Sequence, residues 1–139
     1  MAARPSPLAE TLASVGDRWA LLLVAALGER PRRFNDLLEE LPGLSPNILS
    51  ARLRALEGDA LVVARPYSER PPRFVYELST AGRELAEALR PLIDWGVRHT
   101  GDREPPRHSV CGTALETRWY CPTCDEAVDG GEQEELDFA

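Results

Sequence analysis

Lysine is absent from the chain: all 16 basic residues among its 139 are arginine. Every positive charge is therefore a planar guanidinium, suited to forked contacts with phosphate or guanine, although a compositional bias of the source genome explains such an absence more simply. Long apolar runs are lacking too. The longest, Trp19 to Gly28, is far short of the ~20 residues that a membrane-spanning helix needs. The opening residues, Met1 to Pro7, carry neither the apolar stretch nor the cleavage pattern of a secretory signal, so the expected compartment is the cytoplasm. Cysteine is limited to Cys111, Cys121 and Cys124. An odd number in a cytoplasmic chain disfavours a disulfide framework and points to a metal or a reactive thiol. What remains, 43% hydrophobic and 28% charged residues, is the composition of a globular protein, with length for one ordinary domain and an appendage.

The formal net charge is −7, which by itself argues against nucleic acid. The charge is unevenly placed. Residues 1 to 98 hold 13 Arg and 13 acidic residues and are neutral, whereas residues 99 to 139 hold 3 Arg and 10 acidic residues. The whole excess is in the C-terminal part.

Apolar spacing and capping residues divide the first part into helices and a hairpin. Leu8 to Val15 reads as a short helix broken by Gly16. Asp17 caps a second helix with Trp19, Leu22, Leu23, Ala26 and Leu27 at helical spacing. Phe34 to Leu41 reads as a third, closed by the turn Pro42-Gly43. Ser45-Pro46 opens a fourth, Ser as N-cap and Pro in the first turn, with Leu49, Leu53 and Leu56 as its buried stripe. Leu61 to Arg65 and Arg73 to Leu78 read as strands around a loop, with prolines at an exposed, unpaired tip. Ser79 or Thr80 caps a long last helix with Leu85, Leu89, Leu92 and Trp95 at heptad-like spacing.

Three helices followed by a two-stranded hairpin make a winged helix-turn-helix, the fourth helix being the one that enters the groove. At ~100° per residue, Asn47, Ala51 and Arg54 fall opposite the leucine stripe, with Ser50 beside them. Short side chains allow close approach to a groove floor, Asn can read adenine and Arg guanine, and Ser45 stands at the start of the same helix. Arg52 points towards the edge of the stripe, as a phosphate contact or an internal partner of Glu57. Arg65, Arg70 and Arg73 on the hairpin, and Arg32 and Arg33 (with Arg30) before the third helix, are expected on flanking phosphates, where they set orientation and not sequence. A solvated surface is the plain alternative for each arginine. The long apolar stripe of the last helix and the need for two half-sites predict a homodimer.

The runs Gly16-Asp17-Arg18-Trp19, Pro31-Arg32-Arg33-Phe34-Asn35-Asp36-Leu37, Leu41-Pro42-Gly43-Leu44-Ser45, Leu53-Arg54-Ala55-Leu56-Glu57, Arg65-Pro66-Tyr67 and Pro71-Pro72-Arg73-Phe74-Val75-Tyr76-Glu77-Leu78 resemble the HxlR-type winged helix-turn-helix regulators, relatives of the MarR family. The resemblance covers roughly residues 7 to 98. It implies a bacterial or archaeal dimeric transcription regulator of double-stranded DNA, without enzymatic activity, whose first and last helices pair across the dimer. It leaves room for a small-molecule or redox effector. The sequence departs from the pattern twice. Ser6 stands where many members have a cysteine that in some senses oxidants or electrophiles. Gly58-Asp59-Ala60-Leu61-Val62 stands where the family usually has Asp-Gly-Leu-Val, so the left-handed residue after the recognition helix is expected to have moved or vanished.

The C-terminal part carries a second constellation. His108-x-x-Cys111-Gly112 and Cys121-x-x-Cys124 are two turns that each offer two ligands. Three thiolates and an imidazole complete a closed tetrahedral zinc site, with no open position for catalysis. Trp119 and Tyr120 would cover it, in a small core with Val110, Leu115 and Val128. His99 is a weaker fourth ligand. The plain alternative, a Cys121–Cys124 redox pair, lacks the βαβ context of a thioredoxin-like site.

The expected architecture is mainly α with a small β-hairpin wing, plus a small zinc ribbon. Its parts are a DNA-binding and dimerisation domain (1–98), a linker (99–107), a zinc-ribbon-like segment (108–128) and an acidic tail (129–139). The expected function is sequence-specific DNA-binding transcription regulation, with zinc as cofactor and no membrane partner. The competing readings are a zinc-dependent protein-interaction module that does not bind DNA and, more remotely, a thiol oxidoreductase using Cys121 and Cys124.

Overall fold

The structure, a computed structural model, describes residues 4–128; the acidic tail lies outside the described residues. The chain divides into two compact units, Met1–Arg90 and Pro91–Ala139. No single helix among the described residues is long and apolar enough to cross a membrane.

Side-chain caps start four of the five helices. Ser6 accepts the Ala9 amide at the head of α1 (Pro7–Val15). Asp17 accepts the Trp19 and Ala20 amides and begins α2 (Arg18–Glu29). Ser45 accepts the Ile48 amide and begins α4 (Pro46–Gly58), with Pro46 in the first turn. The Ser79 hydroxyl accepts the Gly82 amide before α5 (Thr80–Thr100). A cap of this kind contributes about 1 kcal/mol. The third helix, α3 (Phe34–Glu40), starts differently: the Asp36 carboxylate reaches back to the Arg33 amide.

Leu23, Val24 and Leu27 of α2, Leu37 of α3 and Leu49, Leu53 and Leu56 of α4 bury together against Val62 and Leu78 of the sheet and Leu89 of α5. This is the leucine stripe read from spacing, and it fixes which side of α4 remains outside. Gly82 is required by a close approach. A Cβ there would stand 2.1 Å from the Leu61 carbonyl oxygen.

The sheet has three strands, not two. Beside β2 (Val62–Glu69) and β3 (Pro72–Leu78) runs a two-residue strand, β1 (Arg32–Arg33), in the order β1-β3-β2, all antiparallel. The hairpin is longer than expected and its proline-rich end is paired, since Glu69 lies opposite Pro72 and only Arg70 and Pro71 form the tip. The ladder shifts between Pro66 and Ser68, leaving Tyr67 out of register. Proline lacks the amide a regular ladder needs, and a bulge accommodates it.

The left-handed residue after α4 has neither moved nor vanished. Ala60 takes it, at φ +57°. The Leu61 amide donates to the Leu56 carbonyl and the Ala60 amide to the Glu57 carbonyl, the paired bonds that close a helix through a left-handed residue. Alanine pays a steric penalty there that glycine does not. Ala60→Gly is therefore expected to stabilise the protein by about 1 kcal/mol. A denaturant titration showing an unchanged or lower midpoint would contradict the strain.

Candidate nucleic-acid interface and the cysteine turns

With its leucines buried, α4 presents Asn47, Ala51 and Arg54 outward, while Ser50 is half-buried. The Ser45 hydroxyl is engaged in capping and Ser45 itself is half-buried. Among the described residues no carboxylate lies in ion-pair reach of Arg54, Arg70 or Arg73. An open groove of about 560 Å³ runs between the start of α3, α4 and the hairpin, and its lining includes Arg33, Ser50, Tyr67, Arg73, Phe74 and Tyr76. Three residues assigned to DNA from sequence, Arg33, Ser50 and Arg73, thus share one concave surface. Arg33 lies over the Tyr67 ring at 4.8 Å, the residue that the bulge releases. Burial pushes the Tyr76 phenol up, and the nearby Glu57 adds to the shift.

Four arginines are engaged otherwise than expected. Arg30 is exposed, but its Nη2 donates to Glu40 at 3.0 Å. Arg32 is only 3% exposed. Its Nε donates to both Glu40 oxygens at 2.7 and 2.9 Å, Nη1 to the Arg30 carbonyl at 2.7 Å and Nη2 to Glu29 at 3.3 Å. Arg32 is thereby withdrawn from any phosphate; it ties the end of α2 to the end of α3. The cause is strand alternation: in β1, Arg32 faces inward and its neighbour Arg33 outward. Arg52 does not pair with Glu57. Its Nε reaches Asp17 at 2.8 Å, linking α4 to the head of α2. The Ala20 amide foremost, and then the Arg52 guanidinium, hold the Asp17 carboxyl below the ordinary carboxylate range. Arg65 is exposed on the hairpin but bonded to Glu77 at 2.6 Å.

A model of the HxlR-like helix-turn-helix matches residues 14–104. The chain belongs to this family. It is 37% identical over 118 residues to an uncharacterised HTH-type transcriptional regulator of Mycobacterium tuberculosis, covering 82% of this chain and 74% of that one. Among solved structures, the reduced form of the redox regulator HypR superposes with a TM-score of 0.63 at 30% identity, covering 70% of this chain and 95% of that one. A candidate transcription factor of Pseudomonas aeruginosa superposes with a TM-score of 0.68 at 26% identity, covering 96% of this chain and 90% of that one.

In this HxlR-like chain the segment 108–128 forms two turns. His108 Nδ1 lies 3.3 Å from Cys111 Sγ, and Thr113 Oγ1 lies 3.2 Å from the same sulfur. The Thr113 hydroxyl and amide, with His108, bring the Cys111 thiol down to about 7. Cys121 and Cys124 are hydrogen-bonded to each other. Amides of Cys124 and Thr123 lower Cys121, and its proximity raises Cys124. Among the described residues no three His, Cys, Asp or Glu side chains converge as a ready metal site. The small core expected around the turns does not form: Val110, Leu115, Trp119 and Tyr120 are all exposed. The segment has too few apolar residues for burial to organise it.

Proposed function

We propose that the protein is a transcription regulator that binds double-stranded operator DNA as a homodimer, with α4 in the major groove and the β2–β3 hairpin on the flanking backbone. The observation that carries this reading is the outward face of α4. Asn47 and Arg54 stand exposed on a helix held from behind by three buried leucines, and among the described residues Arg54, Arg70 and Arg73 have no carboxylate in ion-pair reach. Unpaired guanidinium groups around a helix of groove-compatible size match the chemistry of phosphate and base edges. The regulatory role that the mycobacterial relative bears by name supports it.

Apolar side chains left exposed support the dimer. Leu8 and Leu12 of α1 are uncovered, α1 burying no residue at all, and so are Leu92, Ile93 and Trp95 of α5. A regulator that bends to a signal would take a small molecule or an oxidant. An oxidant could not act at Ser6, whose hydroxyl caps α1, and would have to act on Cys111, Cys121 or Cys124.

The test is selection of genomic fragments by the full-length protein, followed by gel shifts across a salt series and light scattering of the free protein. The expected results are a reproducible enriched sequence with two-fold symmetry, an affinity that falls steeply with salt, and a dimer at micromolar concentration. Fragment recovery without any sequence preference, or no retention of DNA at low salt, would favour the protein-interaction module instead.

A further inference from the structure

The geometry points to a zinc site that closes the C-terminal unit, with His108, Cys111, Cys121 and Cys124 as its four ligands. The two turns have the same construction. In the first, the Gly112 amide donates to the His108 carbonyl at 2.8 Å and Gly112 is left-handed, at φ +72°. In the second, the Asp125 amide donates to the Cys121 carbonyl at 2.9 Å and Asp125 is left-handed, at φ +59°. In each, one residue follows the second ligand, takes the left-handed conformation and bonds back to the first ligand.

Each turn also tips an antiparallel ladder. β4 (Trp119–Cys121) pairs with β5 (Glu126–Val128) around the second. Around the first, Arg107 pairs with Ala114, His108 donates to the Thr113 carbonyl and Leu115 to the Pro106 carbonyl. Two hairpins that present ligand pairs at equivalent places in equivalent turns are suited to form the two halves of a tetrahedral thiolate site once an ion draws them together, three ligands not converging in its absence among the described residues.

The distance within the first turn fits. Zn–N of ~2.0 Å and Zn–S of ~2.3 Å at the tetrahedral angle set the two donors about 3.5 Å apart. His108 Nδ1 and Cys111 Sγ stand at 3.3 Å, already near the edge of such a tetrahedron. Three thiolates and an imidazole select zinc over the hard divalent cations, which prefer oxygen. The exposed aromatic and aliphatic side chains of the unit supply the energetic reason. A segment without a buried core needs a cross-link to stay folded, and the chain offers no second cysteine pair for disulfides. The ion draws the two turns onto one centre and, on binding, displaces the thiol protons to solvent.

The experiment uses the full-length protein purified under reducing conditions without added chelator. Elemental analysis is expected to find one zinc per chain, and the three thiols to react with a thiol reagent only after zinc is stripped. Cys121→Ser is expected to weaken zinc binding by more than about 100-fold, since losing a ligand exceeds the ~10–100-fold loss from an outer-sphere partner. His108→Ala is expected to weaken it as well, and His108→Cys, which completes four thiolates, to retain stoichiometric metal. DNA retention measured on the same samples reads the N-terminal unit separately, so failure of the zinc site and failure of the regulator reading are distinguishable. Metal-free protein with three freely reacting thiols, or a Cys121–Cys124 disulfide in place of the ion, would overturn the proposal. So would His108→Ala holding zinc as tightly as the unchanged chain.

Discussion

Arg32→Ala is expected to destabilise the N-terminal unit by about 2–3 kcal/mol. Breaking a wholly buried ion pair from one side costs ~3–5 kcal/mol because the remaining charge loses its partner without regaining water. Here Arg32 is buried but Glu40 keeps a third of its side-chain surface in solvent and keeps its bond from Arg30 at 3.0 Å, both of which lower the expected loss. The substitution also orphans the Arg30 carbonyl and frees Glu29. For a chain of this size such a change corresponds to roughly 10 °C in Tm. Arg33→Ala, next in sequence and outward-facing, is the control, expected within ~0.5 kcal/mol of the parent. DNA affinity separates the structural assignment from the phosphate-contact one. Measured where both variants are folded, Arg32→Ala should bind DNA within about threefold of the parent, since it removes no phosphate contact. A stable Arg32→Ala protein that has lost DNA affinity would return Arg32 to the interface.

That reversal of role shows where sequence reasoning reaches its limit. Helices were legible because their signals are local: Asp17, Ser45 and Ser79 each stand at a helix start and each accepts the amide that a cap should accept. The buried stripe of α4 was legible because a 3.6-residue period needs only one helix to express it. Arg32 has no such signal. Its strand is two residues long, too short for alternation to show, and its partners Glu29 and Glu40 come from two different helices. Before it is folded, Arg30-Pro31-Arg32-Arg33 is simply a basic loop. Arg52 was half legible: its position at the edge of the stripe left a phosphate contact or an ion pair with Glu57 open, and Asp17, 35 residues away, gave no local signal. The hairpin tip was misjudged because prolines argue against pairing in general, whereas a bulge and an end position suit them. The two C-terminal segments were legible as turns from spacing, while the exposure of Trp119 and Tyr120 was not, since aromatic content alone does not say what an aromatic packs on. The left-handed position after α4 was expected to have moved or vanished because glycine is missing there, whereas Ala60 holds it at φ +57°.

Arg54→Ala is expected to lower operator affinity by about 10–100-fold and to relax discrimination at one base pair, the equivalent of ~1–3 kcal/mol for a forked base contact. Stability should stay within ~0.5 kcal/mol, because Arg54 is exposed and no carboxylate among the described residues pairs with it. Asn47, in the first turn of α4, is expected to behave alike at a second base pair, the N-terminal part of such a helix being what meets the base edges. Seven residues separate the two, about 10.5 Å along a helix, so the two relaxed positions should lie about three base pairs apart if the helix follows the groove. Arg73→Ala should act differently: its place on the hairpin, beside the groove, predicts an equal weakening on every sequence and a salt slope reduced by about 1. Repeating the fragment selection with each variant reads these outcomes directly. If Arg54→Ala weakened all sequences equally and kept the parent's preference, Arg54 would be a phosphate contact, and the reading face of α4 would have to be sought around Ser50 and Ala51 instead.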